Sequence, residues 1–151
     1  MDWDTYFIKM SRFVSEKSKD RSTKCGSVIV GPNMEVRSTG YNGFIRGAND
    51  NVDADHERPR KYMLTEHGER NAIYNAARSG ISTANFKMYL NWSVRCCSDC
   101  TRAMIQSGIV EIIGDANNEF PGKGDQWKAN WEASEYMLNQ AGILVRNVKI
   151  S

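Results

Sequence analysis

Histidine is scarce in this chain: two occur among 151 residues, at His56 and His67. Cysteine is limited to four positions, so chemistry built on imidazole or thiol has few places to sit. No run of about 18 apolar residues occurs, which excludes a hydrophobic spanning helix. An excess of one charge sign is also missing. Twenty Lys+Arg face 18 Asp+Glu, a net of +2, which leaves no electrostatic footprint for a nucleic-acid polymer or an anionic membrane. The start, Met1-Asp2-Trp3-Asp4, is acidic and carries no basic-then-apolar leader, so no signal peptide and a cytoplasmic location are expected.

What is present is ordinary globular material. With 40% hydrophobic and 25% charged residues, the chain can bury a core, and its length suits one domain over residues 1–151. The cysteines are unevenly spread. Cys25 stands alone, while Cys96, Cys97 and Cys100 crowd into five positions. In a reducing compartment a tight Cys-x-x-Cys points to metal or redox chemistry rather than to a structural bridge.

Periodicity orders the chain. Trp3, Tyr6, Phe7, Met10, Phe13 and Val14 recur at helical spacing and predict a first amphipathic helix. Residues 25–30 and 35–41 read as strands around the turn Gly31-Pro32-Asn33, giving an antiparallel hairpin. Residues 43–60 are polar and without period, the mark of a functional or mobile loop. Helices are expected over 66–78, 98–106 and 126–140, and strands over 86–92, 109–114 and 143–150, with 121–124 as a loop. A helix and hairpin followed by α-β-α-β-α-β predict an α/β fold, one mixed sheet flanked by helices.

His67-Gly68-Glu69 opens one helix, and Cys97-Ser98-Asp99-Cys100 opens the next. Each cluster alone is weak. Together they offer three zinc-type ligands and one carboxylate at two helix starts, and three protein ligands leave a tetrahedral position open for chemistry. Helix N-termini favour thiolate over thiol, and zinc lowers the pKa of bound water to about 7. Glu69, two residues beyond His67, is free to move protons. Histidine-x-glutamate followed by Cys-x-x-Cys is the signature of zinc nucleobase deaminases.

On these residues the chain resembles the deoxycytidylate (dCMP) deaminase branch of the cytidine deaminase superfamily. The resemblance extends through Ser18-Lys19-Asp20, Ser22-Thr23-Lys24, residues 26–30, Gly40-Tyr41-Asn42-Gly43, residues 66–78, Leu90-Asn91-Trp92 and residues 97–109. It implies a three-layer α/β/α fold with a five-stranded mixed sheet. It implies one zinc per subunit on His67, Cys97 and Cys100, a zinc-activated water attacking C4 of dCMP, and Glu69 shuttling protons to give dUMP, which supplies thymidylate synthesis, and ammonia. Gly68, through its backbone N–H, and Asn42 would contact the substrate, while Ser22, Lys24 and Arg46, with Arg21, are phosphate candidates. Gly40, Tyr41, Asn42 and Gly43 would belong to a region responsive to dCTP and dTTP. Assembly as a homo-oligomer, a dimer or a hexamer, is implied as well.

Four positions depart from the family pattern. Gly68 stands where alanine is usual, and Cys96 replaces the proline before the first ligand cysteine, which removes a fixed φ and adds a competing thiol. Arg21 and Ile45 also occupy proline positions. Cys25 is expected inside a strand as a small buried hydrophobe and His56 as a solvated loop residue, which leaves too few ligands for a second zinc. Trp127 and Trp131 are four apart, the spacing of core packing on a helix or of a binding pair. A deaminase of another cytosine or adenine substrate, or a weakly catalytic nucleotide-binding regulator, is the alternative.

Overall fold

The computed structural model describes residues 1–119 and 125–150. Its first element, α1 (Trp3–Ser15), starts at Asp2, whose carboxylate accepts the Thr5 N–H at 2.9 Å. The hairpin follows as β1 (Gly26–Val30) and β2 (Val36–Tyr41), antiparallel with a bulge at Ile29/Val30. The stretch 43–60, expected to be an unstructured loop, instead holds short pieces: β3 (Gly43–Phe44), a 3-10 turn (Asp53–His56) and the start of α2 (Arg60–Leu64). β4 (Thr65–Glu66) pairs back onto β3, so the helix expected from residue 66 begins two residues later as α3 (Gly68–Arg78). Then come β5 (Lys87–Leu90), α4 (Ser98–Gln106), β6 (Glu111–Asp115), α5 (Asp125–Ala141) and β7 (Leu144–Val148). The expected loop at 121–124 lies outside the described residues.

The sheet order is β2-β1-β5-β6-β7. β1 runs antiparallel to β2 and β5, whereas β5, β6 and β7 are parallel, so the two helical crossovers β5–α4–β6 and β6–α5–β7 rise from the same end of the sheet. Strand alternation sorts the core into two layers. Ile29, Met88, Leu90 and Ile112 face Ala72 of α3, Met104 of α4 and Leu138 of α5. Val28, Val30, Tyr89 and Ile113 face Phe7 and Ile8 of α1 on the other side. The result is the expected three-layer α/β/α architecture with a five-stranded mixed sheet.

Glycine is required at one of these contacts. A Cβ on Gly40 would lie 2.2 Å from the Ala72 backbone nitrogen, so β2 and α3 approach this closely only without a side chain there. That approach sets α3, and with it His67 and Glu69, tightly over the sheet.

Candidate zinc centre and active site

His67 precedes α3 as its N-cap, in extended conformation (φ −80°, ψ 155°), which turns its ring out of the helix and toward α4. Cys97 is the N-cap of α4, and its sulfur accepts the Cys100 N–H at 3.4 Å. The ligand atoms of His67, Cys97 and Cys100 lie within 4.8 Å of one another. His67 Nδ1 is 3.4 Å from Cys97 Sγ and 3.3 Å from Cys100 Sγ. Zn–S and Zn–N bonds of about 2.3 and 2.0 Å in a tetrahedron separate such atoms by roughly 3.5 Å, so the trio fits zinc with little rearrangement.

The electrostatics agree. The Cys100 thiol donating to Cys97, with the His67 ring beside it, brings the Cys97 thiol down to about 4. The same pairing and burial push Cys100 up, so the negative charge resides at Cys97. The hydrogen bond to Cys97 in turn raises His67. Glu69, 3% exposed in the first turn of α3, has its carboxyl raised, chiefly by burial. Cys96 is buried in the main core beside Cys100, its thiol pushed up by burial and by Glu69. The metal-type cluster among the described residues contains Cys97 and not Cys96.

A cavity of about 590 Å³ opens over this cluster, within the usual size of small-ligand sites. His67, Gly68, Glu69 and Cys97 line it, as do Asn42 and Ser22. Asn42 is buried and works on the backbone: its Oδ1 accepts the Cys25 N–H at 2.9 Å and its Nδ2 donates to the Thr23 carbonyl at 2.9 Å. Gly68 faces the segment Asn42 holds. A Cβ there would sit 3.3 Å from the Cys25 carbonyl and from Ser27 Oγ, and 3.4 Å from the Gly40 carbonyl. Ser27 Oγ is buried without a hydrogen-bond partner among the described residues.

Other expected residues lie elsewhere. Lys24 and Arg46 are absent from the lining, and the Arg46 guanidinium donates to Asn75 of α3. Arg21 pairs with Asp53 at 3.0 Å. Tyr41 is exposed, and Gly43 begins β3. Cys25 lies just before β1 rather than inside it and lines the cavity half-buried. His56 is no solvated loop residue: it sits half-buried in the 3-10 turn, its ring 4.8 Å from Phe44 and Nε2 2.6 Å from the Asp50 carbonyl.

Several cavity residues were missed by sequence reasoning. Arg58 and Tyr62 line one wall, the guanidinium 5.7 Å above the Tyr62 ring and donating to Ser22 Oγ at 3.2 Å. Lys61, buried in the same wall, pairs with Asp20 at 2.9 Å. Trp127 and Trp131, whose spacing left core packing and a binding pair both open, line the cavity, and Arg95, which was missed, lies 3.8 Å over the Trp131 ring. The basic and aromatic run from Arg58 to Tyr62, shortly before His67, was the available signal.

A mixed α/β/α sheet that presents His-x-Glu at one helix start and Cys-x-x-Cys at the next defines a zinc-dependent hydrolytic deaminase. Residues 1–114 match the cytidine and deoxycytidylate deaminase zinc-binding region, and the chain belongs to the deoxycytidylate deaminase family of the cytidine deaminase superfamily. It is 34% identical over 148 residues to the "Uncharacterized deaminase in luxG 3'region" of Aliivibrio fischeri, covering 95% of this chain and 91% of that protein. To the human deoxycytidylate deaminase it is 30% identical over 151 residues, covering 97% and 79% of the two chains. In structure it is similar to the dCMP deaminase of cyanophage S-TIM5, with a TM-score of 0.73 at 22% identity and 96% of each chain covered. The zinc-binding family and the His/Cys/Cys group support one zinc. No helix among the described residues is long and apolar enough to cross a membrane.

Proposed function

We propose that this chain converts dCMP and water to dUMP and ammonia, as one domain over residues 1–151 with a zinc on His67, Cys97 and Cys100. The carrying observation is Glu69, a buried carboxyl beside the three ligand groups at the floor of a nucleotide-sized cavity. When bound, the zinc supplies Lewis-acid activation of water at neutral pH. Glu69 accepts the proton of that water and hands it to N3 of the cytosine ring as C4 is attacked. It then carries a second proton to the departing amine. Burial raises its carboxyl toward the working pH, which suits a group that must both take and give a proton. The Gly68 N–H holds the pyrimidine edge. Asn42 fixes the 23–25 segment under the substrate and keeps one amide N–H for the sugar or ring.

For the 5′-phosphate we assign Ser22 and Arg58 in preference to Lys24 and Arg46. Arg58 forms no ion pair among the described residues and already donates to Ser22 on the cavity wall. A phosphate there would complete a charge-assisted pair. The S-TIM5 dCMP deaminase, solved in complex with dCMP and dUMP, supports a nucleotide as substrate. We further assign the dCTP and dTTP response to Gly40-Tyr41-Asn42-Gly43, because buried Asn42 ties this segment, where Tyr41 is exposed, to the cavity floor. Tyr41, Ile45, Met63 and Tyr74 stand exposed around β3–β4 and α3, a surface suited to a second copy in a homo-oligomer. The place of action is the cytoplasm, and the dUMP supplies thymidylate synthesis.

Ammonia release from dCMP, CMP, deoxycytidine and dCTP, with zinc quantified, tests the reading. dCMP is expected to react best, and equal or better kcat/KM on deoxycytidine overturns the phosphate assignment. Arg58→Ala is expected to lower kcat/KM for dCMP roughly tenfold to a hundredfold while sparing deoxycytidine.

A further inference from the structure

We infer that α5 is a latch on the cysteine loop: Asn130 and Trp131 position Cys97 and Cys100 for the metal, in place of a proline at residue 96. The loop from β5 to α4 needs such a device. Cys96 leaves φ free immediately before the N-cap, where proline would fix it, and a ligand residue on an unfixed loop must be ordered when the metal binds. Two consecutive residues of α5 supply the constraint from outside. Asn130 Oδ1 accepts the Ser98 N–H at 2.7 Å, and its Nδ2 donates to Ser98 Oγ at 3.2 Å. That two-point contact takes the first free donor of α4 and leaves the Cys97 sulfur to the Cys100 N–H. One residue on, the Trp131 ring lies 3.8 Å beneath the Arg95 guanidinium. The Arg95 carbonyl accepts from Trp92 Nε1 at 3.2 Å, so residue 95 is held by both side chain and backbone.

The latch is itself anchored. Ser134 and Leu138, one and two turns beyond Asn130, are 3% and 8% exposed, and Leu138 packs in the main core. α5 therefore carries the position of the sheet to the ligand loop. Asn130 touches no ligand atom. It is a positioning residue, acting on the metal through Ser98 and the backbone of Cys97, as outer partners of metal ligands do.

The inference rests on the reading that Cys97 and Cys100 hold zinc, and its test needs no substrate. Zinc release from the purified holoprotein into excess chelator is followed with a metallochromic indicator, alongside urea unfolding of the metal-free protein. Asn130→Ala is expected to release zinc about tenfold faster. Asn130→Asp, which keeps an acceptor for the Ser98 N–H, is expected to stay near the wild-type rate. Cys96→Pro added to Asn130→Ala is expected to bring release back toward wild type without restoring any loss of metal-free stability. Trp131→Leu, which removes the ring under Arg95, should accelerate release in the same direction and serves if Asn130→Ala fails to fold. Wild-type release from the Asn130→Ala and Trp131→Leu proteins, or no recovery with Cys96→Pro, overturns the latch. Cys97→Ser separates the two readings: full zinc retention there overturns the ligand assignment and the latch together, whereas zinc loss there with wild-type release from Asn130→Ala overturns the latch alone.

Discussion

At the β6–β7 edge of the sheet the charges are matched by one another. Arg146 donates to Glu111 at 2.6 Å and to Asp4 at 2.8 Å, Lys87 reaches Glu111 at 3.3 Å, and Tyr89 donates to Asp4 at 2.8 Å. The Arg146 hydrogen bond holds the Asp4 carboxyl below its ordinary value, and burial with Asp4 pushes the Tyr89 hydroxyl up. Around the three ligand groups the arrangement is different. Glu69 forms no ion pair among the described residues, and its neighbours Cys25 and Cys96 are thiols that burial keeps neutral. One imidazole faces two ligand thiols and a buried carboxyl, and the Cys97 thiolate is held by Cys100 and His67. The first cluster is complete in its own charges and serves stability. The second gathers one imidazole and two ligand thiols beside a buried carboxyl, the donor set that a catalytic zinc takes.

The sharpest way to break this comparison is Glu69→Gln. It keeps shape and burial but removes the proton carrier, so turnover of dCMP should fall by about a thousandfold with zinc content unchanged. An active Glu69→Gln protein would remove Glu69 from its assigned role. Next comes metal content: Cys97→Ser should abolish stoichiometric zinc, while Cys96→Ser should keep it, and the opposite pattern would exchange the two cysteines. At the matched edge, Arg146→Met removes the cation that Asp4 and Glu111 share and leaves Tyr89 on Asp4 and Lys87 on Glu111. Urea unfolding should report a loss of about 1–2 kcal/mol, tempered because the Arg146 side chain is 36% exposed, with zinc and turnover unmoved.

The smallest effect is a pH dependence of that last difference. The Asp4 carboxyl is lowered on folding, so its contribution is fully present above the unfolded value of about 3.9 and is lost as pH falls through the lower folded one. The stability gap between wild type and Arg146→Met should therefore be constant at neutral pH and narrow below about pH 4. A gap that narrows near pH 6 instead would assign it to another group.

Helices such as α1, α3 and α4 were legible in the sequence because burial on one face leaves a repeat, whereas β1 and β6, buried at every residue, read as short apolar runs between turns. The region 43–60 did not, since a two-residue strand, one 3-10 turn and the start of a five-residue helix are too short to imprint a period. The same limit hid β4, whose pairing with β3 makes His67 an extended N-cap rather than a helical residue. His67, Cys97 and Cys100 were readable from spacing because both clusters sit at helix starts on one sheet. Phosphate candidates chosen by charge and proximity in sequence were less secure. Lys24 and Arg46 proved to lie off the cavity wall, while Arg58 reaches it because of the course of a segment that no pattern described. Trp127 and Trp131 show the same ambiguity from the other side. Four-residue spacing puts two rings on one helix face, and only tertiary packing decides whether that face meets core or cavity.

The crowding around Gly68 also bears on the order in which this protein can change. Alanine at residue 68 would bring a methyl to 3.3 Å from Ser27 Oγ, inside comfortable carbon–oxygen contact. Ser27→Ala taken first discards a buried hydroxyl that satisfies no partner among the described residues, a nearly neutral step, and eases the room for the second. Taken in reverse, the path crosses a variant strained within one residue of Glu69. The two positions are thus coupled in part: Ser27→Ala relieves one of the close contacts, while the Cys25 carbonyl stays 3.3 Å from the added methyl in either order.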